Sequence, residues 1–173
     1  MPNPRQSIIM GAVVTALVGV LLAFPAQSGN PVFGFVACCL PAIIGGLLVT
    51  WHYTNTYGVS LNLGSGAKYG AITAALGAVG GAVLQLLLTA VNVFPSTAER
   101  IEMQRERMLE QGMTEAQIDQ GMQMVEFFSG AGGQVLSIVI GVVVFALIGA
   151  LGGLIGAKAF GGGKDTTAAS PEI

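Results

Sequence analysis

Charge is what this sequence has least of. Only 9% of its 173 residues are Asp, Glu, Lys or Arg, against roughly 25% in an ordinary soluble domain, while 53% are hydrophobic and the mean hydropathy is +0.72. Water is therefore not the main solvent of the folded chain. Apart from Arg5, no charged residue precedes Lys68. Seven scattered basic residues and a net charge of -2 leave no basic stripe for a phosphate backbone, so nucleic acid is not expected as a partner.

Reactive side chains are equally scarce. Cys38 and Cys39 are adjacent within an apolar run, where a disulfide between neighbours is strained and metal-ligand spacing is missing. The single histidine, His52, has no second His, Cys or carboxylate near it in sequence. Gly64-Ser65-Gly66-Ala67-Lys68 lacks the Gly-Lys-Ser/Thr ending and the preceding strand of a phosphate loop; Ser65 reads instead as the cap of a helix. There is no G-x-S-x-G, no H-E-x-x-H and no cysteine with a placed histidine. Neither an enzyme nor a cofactor or metal site is expected.

What is present is four long uncharged runs: Ser7 to Phe24, Val32 to Trp51, Tyr69 to Phe94 and Val135 to Ala157. About 20 apolar residues suffice to cross ~30 Å of hydrocarbon as a helix, in which every backbone polar group is satisfied internally. The first run stops at Pro25, and Gly29, Asn30 and Pro31 signal a tight turn. Arg5, the apolar stretch and Ala26-Gln27-Ser28 also loosely match a cleaved signal peptide. The run is longer than the usual ~7 to 15 residue core, so a retained span is expected. Pro41, inside the second run, deprives the Ala37 carbonyl of its helical donor and predicts a kink. No ionisable residue lies inside the runs, which argues against a proton-driven pump. Lys158 stands at the very end of the last run and can snorkel to the interface.

Between the third and fourth runs lies the one strongly polar segment. Ser96 with Glu99 and Thr114 with Gln117 read as two capping boxes, and Gly112 ends the first of two helices. The segment 96–128 is thus an αα-hairpin. Ile118, Met122, Val125 and Phe128 form an apolar face on its second arm opposite Asp119, Gln120 and Gln123, with Glu115 in the first turn. That face needs cover, from the bundle ends or from the headgroup layer. Three arginines against seven acids favour docking on protein.

The predicted fold is all-α: a single polytopic membrane domain over 1–173, with spans at about 7–24, 32–51, 69–94 and 135–157. The hairpin sits between the third and fourth spans, and a disordered tail follows at 161–173. Arg5, Lys68, Lys158 and Lys164 flank the spans on one side, whereas Arg100, Arg105 and Arg107 are interleaved with acids on the other. The positive-inside rule then places both termini in the cytoplasm and the hairpin in the periplasm of a bacterial inner membrane. Trp51, Tyr53, Tyr57 and Tyr69 suit the membrane interface, with His52 beside them as an interfacial residue.

Helices in lipid associate through close backbone contact, which favours small residues, and this chain has 26 glycines. Ala74, Ala78, Gly81, Gln85, Thr89 and Asn92 share one stripe of the third span, with Ile72, Leu76, Val79, Val83 and Leu86 on the opposite, lipid-facing side. Gln85 near mid-membrane needs a hydrogen-bonding partner. Gly77 with Gly81 and Gly149 with Gly153 are G-x-x-x-G pairs, and Gly141, Gly149, Gly152 and Gly156 form a stripe. The strings GAVGG (Gly77 to Gly81) and GALGG (Gly149 to Gly153) are similar, as paired repeats in the third and fourth spans would be, and low complexity in glycine and alanine explains the likeness equally well.

Two stretches carry a family resemblance: YGVSLNLGSGAKYGAITAALGAVGGAV from Tyr57, and MLEQGMTEAQIDQGMQM from Met108. They resemble a bacterial family of small four-span membrane proteins classed only as a domain of unknown function, over about Ile8 to Ala157. The resemblance implies a polytopic inner-membrane protein and brings no activity, cofactor or site residue. The expected role is non-enzymatic: helix association as a homo-oligomer or an accessory subunit, with the bilayer, itself or other membrane proteins as partners and hairpin 96–128 open to contact. The alternative is a small transport or permeation protein, with Gln85, Thr89, Asn92 and the Pro41 kink lining a passage.

Overall fold

The structure, a computed structural model, describes residues 3–26 and 31–161, and among them there are six helices and no strand. Four are long and apolar enough to cross a membrane: α1 (Arg5–Ala26), α2 (Pro31–Tyr57), α3 (Leu63–Ala90) and α6 (Ala131–Phe160). Between α3 and α6 come α4 (Thr97–Glu110) and α5 (Glu115–Ser129). The turn read at Gly29 and Asn30 and the tail beyond 161 lie outside the described residues.

Within the bundle α2 and α3 touch each other, and each also touches both α1 and α6. No backbone contact joins α1 to α6 among the described residues, so the four spans form a diamond with α2 and α3 across its short diagonal. The lipid-facing side of α3 carries Ile72, Leu76, Val79, Val83 and Leu86, all exposed, while Ala74 is buried. A bundle like this keeps aliphatic side chains outside and small ones inside because hydrocarbon gives leucine no reason to hide.

The limits of α3 differ from the run that announced it. It begins at Leu63, and its cap is Asn62 rather than Ser65: Asn62 is extended, at φ -70 and ψ 158, and its Oδ1 accepts the Ser65 N–H at 2.7 Å. Ser65 already lies within the first turn, where its hydroxyl cannot play that part. At the other end α3 stops at Ala90 instead of running to Phe94. Asn92 adopts a left-handed φ of 58. Its N–H donates to the Thr89 carbonyl at 3.0 Å, and the Val93 N–H donates to that of Leu88 at 2.9 Å, the two bonds of a Schellman ending. The polar stripe therefore ends at Thr89, and Asn92 terminates the helix. Phe94 is buried just beyond it, its ring 4.6 Å from that of Phe24.

Glycine performs the same turn in the polar segment. Gly112 has φ 75; its N–H donates to the Leu109 carbonyl at 2.9 Å, and that of Met113 to Met108 at 3.1 Å. Both halves of the Ser96–Glu99 capping box are present. The second box is closed only from its glutamine: Gln117 Oε1 accepts from the Thr114 N–H at 3.0 Å and from its hydroxyl at 3.1 Å. Helices α4 and α5 pack on each other, and α5 also contacts α6. Ile118 is 2% exposed, Met122 and Val125 are half-buried, and the side chain of Phe128 lies outside the described residues.

Candidate functional site

The glycines singled out in the sequence are used within the chain, each against a particular neighbour. A Cβ added at Gly149 would strike Ala74 and lie 2.6 Å from the Gly70 carbonyl; one at Gly66 would lie 2.6 Å from both the Gly153 carbonyl and Ala157 Cβ. Gly149 and Gly153 of α6 thus lie backbone to backbone on Gly66 and Gly70 of α3. Gly152 and Gly156, a quarter-turn round the helix, face α2: a Cβ at Gly152 would be 2.6 Å from the Ile43 carbonyl, and one at Gly156 would be 3.4 Å from Leu47 Cα. Gly77 turns the other way and receives Thr15 of α1, whose Cβ stands 2.5 Å from the added atom; Gly81 meets Ala16 at 3.8 Å. GAVGG therefore lies against α1, and GALGG pairs with the glycines of GSGAKYG. The spacing Gly66-x-x-x-Gly70 was present in the sequence to find this contact.

At the end of the bundle where α1 starts and α2 stops, the polar side chains draw together. His52 Nδ1 and Ser7 Oγ are 2.9 Å apart, and the Tyr57 hydroxyl donates to the Asn3 carbonyl at 3.0 Å. Tyr53 packs between Tyr57 and Tyr69 with ring centroids 5.0 and 5.6 Å away, while Trp51 points outward at 42% exposure. A serine and a histidine at this distance have the chemistry of a nucleophile and its base. Ser7, however, is fully buried, and every acid of the chain falls after residue 98. The pair clamps the start of α1 to the end of α2. Sequence spacing could not have found it, because 45 residues separate the partners.

Buried hydroxyls in the spans mostly turn back on their own helix. Thr15 Oγ1 donates to the Gly11 carbonyl at 2.8 Å, and Thr50 Oγ1 to that of Leu47 at 2.7 Å. Thr73 is the exception: it is fully buried and its hydroxyl has no hydrogen-bond partner among the described residues.

Packing opens toward the end of the bundle nearest α4. A cavity of about 220 Å³ lies between the spans, walled by Thr15, Ala16 and Gly19 of α1, Ala37 of α2, Gly77, Gly81 and Gln85 of α3, and Gly141 and Phe145 of α6. Ala37 is the residue whose carbonyl Pro41 leaves without its helical donor. Below the cavity is a groove of about 460 Å³ between Ala23, Gln85 and one side of α4, including Arg100, Gln104 and Arg107, with Gln111 just past the end of the helix. Gln85 lines both spaces. Of the other residues proposed for a passage, Asn92 borders a separate groove with Phe94, Glu99, Glu102 and Glu106, and Thr89 borders none of the three. Outside the spans, the Ser96 N–H bonded to the Glu99 carboxylate at 2.6 Å, reinforced by the Ser96 side chain, holds that carboxyl below the usual carboxylate range.

No curated protein and no solved structure matches this chain. A family described as a protein of unknown function (DUF4199) matches residues 6–158, a stretch that takes in all four spans and the polar helices between them. The chain belongs to that family.

Proposed function

We propose that this chain is a non-enzymatic membrane protein that acts by association, a self-packed four-span bundle presenting its polar helices to a partner as a homo-oligomer or an accessory subunit. The observation that carries this reading is the placement of α4. Among the described residues its only backbone contacts with another element are with α5, and it keeps Met103 and Leu109 exposed. Small residues buried within the bundle cannot also serve a second copy, so self-association would have to use the aliphatic outer faces or the hairpin. A photo-crosslinking residue at Leu109 should capture a neighbour in native membranes, and one at Leu147, an exposed site on α6, should capture lipid alone. Adducts at neither site, together with a monomeric mass in mild detergent, would remove the basis of the reading.

The same reading places the protein in a bacterial inner membrane with both termini cytoplasmic, supported by Arg5, Lys68 and Lys158 near the ends of α1, α3 and α6 that share one face. Reporter fusions at Gln111 and at the C-terminus check it; the opposite sidedness at both would overturn it. Transport is the second reading, and the cavity at Gln85 is what favours it. If it holds, flux in proteoliposomes should fall with Gln85→Leu, and unchanged flux would refute that lining.

A further inference from the structure

The inner cavity and the groove below it meet at Ala23 and Gln85, of which Gln85 is the polar one. We propose that they form a single site for an anionic single-chain amphiphile, its acyl chain in the cavity between the spans and its phosphate or carboxylate head in the groove beside α4. This goes beyond the association role and does not depend on it.

The inner chamber calls for hydrocarbon. Apart from Thr15 and Gln85 its walls are glycine and apolar side chains, and its volume is about 220 Å³; an apolar cavity of about 150 Å³ already stays dry and holds benzene. Walls that face a void lose their dispersion contacts, and a flexible chain restores them. Because α1 and α6 both line the chamber yet do not touch, a chain can enter from the bilayer between them.

The groove calls for a negative head. Helix α4 belongs to the most acidic part of the sequence, yet the side that lines this groove contributes Arg100 and Arg107 and no acid. Glu99, Glu102 and Glu106, spaced three and four apart on another face of the same helix, line the separate groove around Asn92. Arg100 Nε donates to the Pro95 carbonyl at 3.0 Å, which orients its guanidinium, and arginine's planar fork suits phosphate and carboxylate oxygens. At the junction, no hydrogen bond to the Gln85 carboxamide is found among the described residues. An ester or acid oxygen there would give that amide an acceptor.

The test uses the full chain purified in a neutral detergent and titrated, by native mass spectrometry, with lysophosphatidylglycerol, lysophosphatidylcholine and glycerol 3-phosphate. The anionic lysolipid should be retained, the zwitterionic one should bind about tenfold more weakly, and the headgroup without a tail should not bind. Gly141→Leu and Ala78→Leu fill the cavity from two helices, and a Cβ at Gly141 meets nothing within 4 Å. Each should weaken lysophosphatidylglycerol about tenfold or more with unchanged helicity. Arg100→Gln with Arg107→Gln should erase the preference for the anionic head and leave lysophosphatidylcholine binding in place. Wild-type affinity should also climb with acyl chain length, which needs no variant to fold. Unaltered binding in the filled variants, no dependence on chain length, equal binding of the two lysolipids, or binding of glycerol 3-phosphate alone would each overturn the proposal.

Discussion

A single methyl group placed at Gly66 tests the packing most directly. In Gly66→Ala the new Cβ would lie 2.6 Å from the carbonyl oxygen of Gly153 and 2.6 Å from Cβ of Ala157, inside the 3.0 Å that real Cβ atoms essentially never cross. One obstacle is backbone and the other is the stub of a buried residue, so no side chain can rotate away. Helices α3 and α6 must separate by roughly 0.5 to 1 Å, a gap that forfeits a quarter to a half of each affected contact's attraction. Overpacking of this kind costs about 1 to 3 kcal/mol, or a fall in melting temperature of roughly 2 to 12 °C for a chain of this size. Thermal unfolding in detergent, followed by circular dichroism, measures it. Adding Ala157→Gly should recover part of the loss and no more, because the Gly153 carbonyl remains in the way. The control is Gly141→Ala, where the added atom meets nothing within 4 Å and the change should stay within about 0.5 kcal/mol. If Gly66→Ala melted with the wild type, the backbone contact between α3 and α6 would be refuted.

Other outcomes follow from single side chains. Thr73→Val removes a buried hydroxyl that lacks a hydrogen-bond partner among the described residues and should raise stability by about 1 kcal/mol; a lower melting temperature would mean the hydroxyl is satisfied. Asn92→Val forces a β-branched residue into a left-handed φ of 58 and should cost about 1 to 2 kcal/mol, while Asn92→Gly should cost nothing in the same melting assay. Because the folded state lowers the Glu99 pKa, the carboxylate supports the start of α4 above the ordinary carboxylate range and loses that hold as pH falls through its folded-state value. Amide protection in the first turn of α4, taken relative to the intrinsic exchange rate at each pH, should fall in acid, and Ser96→Ala should lower it already at neutral pH.

Much of the architecture could be read along the chain, because lipid imposes one demand at every step: each span must be about 20 residues, apolar and uncharged. The outward side of α3 was legible for a related reason, since Ile72, Leu76, Val79, Val83 and Leu86 repeat at three- and four-residue intervals. Pair choice was not legible. Gly66, Gly70, Gly77 and Gly81 are chemically alike, and only the three-dimensional arrangement sends the first two to α6 and the last two to α1. Ser7 and His52 escaped for want of local spacing. The ends of α3 were misplaced because hydropathy marks where a span is greasy, whereas Asn62 and Asn92 decide where the backbone starts and stops hydrogen-bonding. The arginine-lined groove was hidden by arithmetic: three arginines against seven acids describes the segment as a whole and says nothing of which face each charge occupies.

Helix α6 closes its side of the diamond against both α2 and α3, and it follows the other three described spans in chain order. A ribosome delivers the first three spans to the membrane while the notch at Gly46, Gly66 and Gly70 still stands open to lipid. Only when α6 has followed α4 and α5 into place can that notch be filled, so α6 seats in it as a keystone. Cutting the chain between α5 and α6 and expressing the halves together would leave two pieces shaped to find each other.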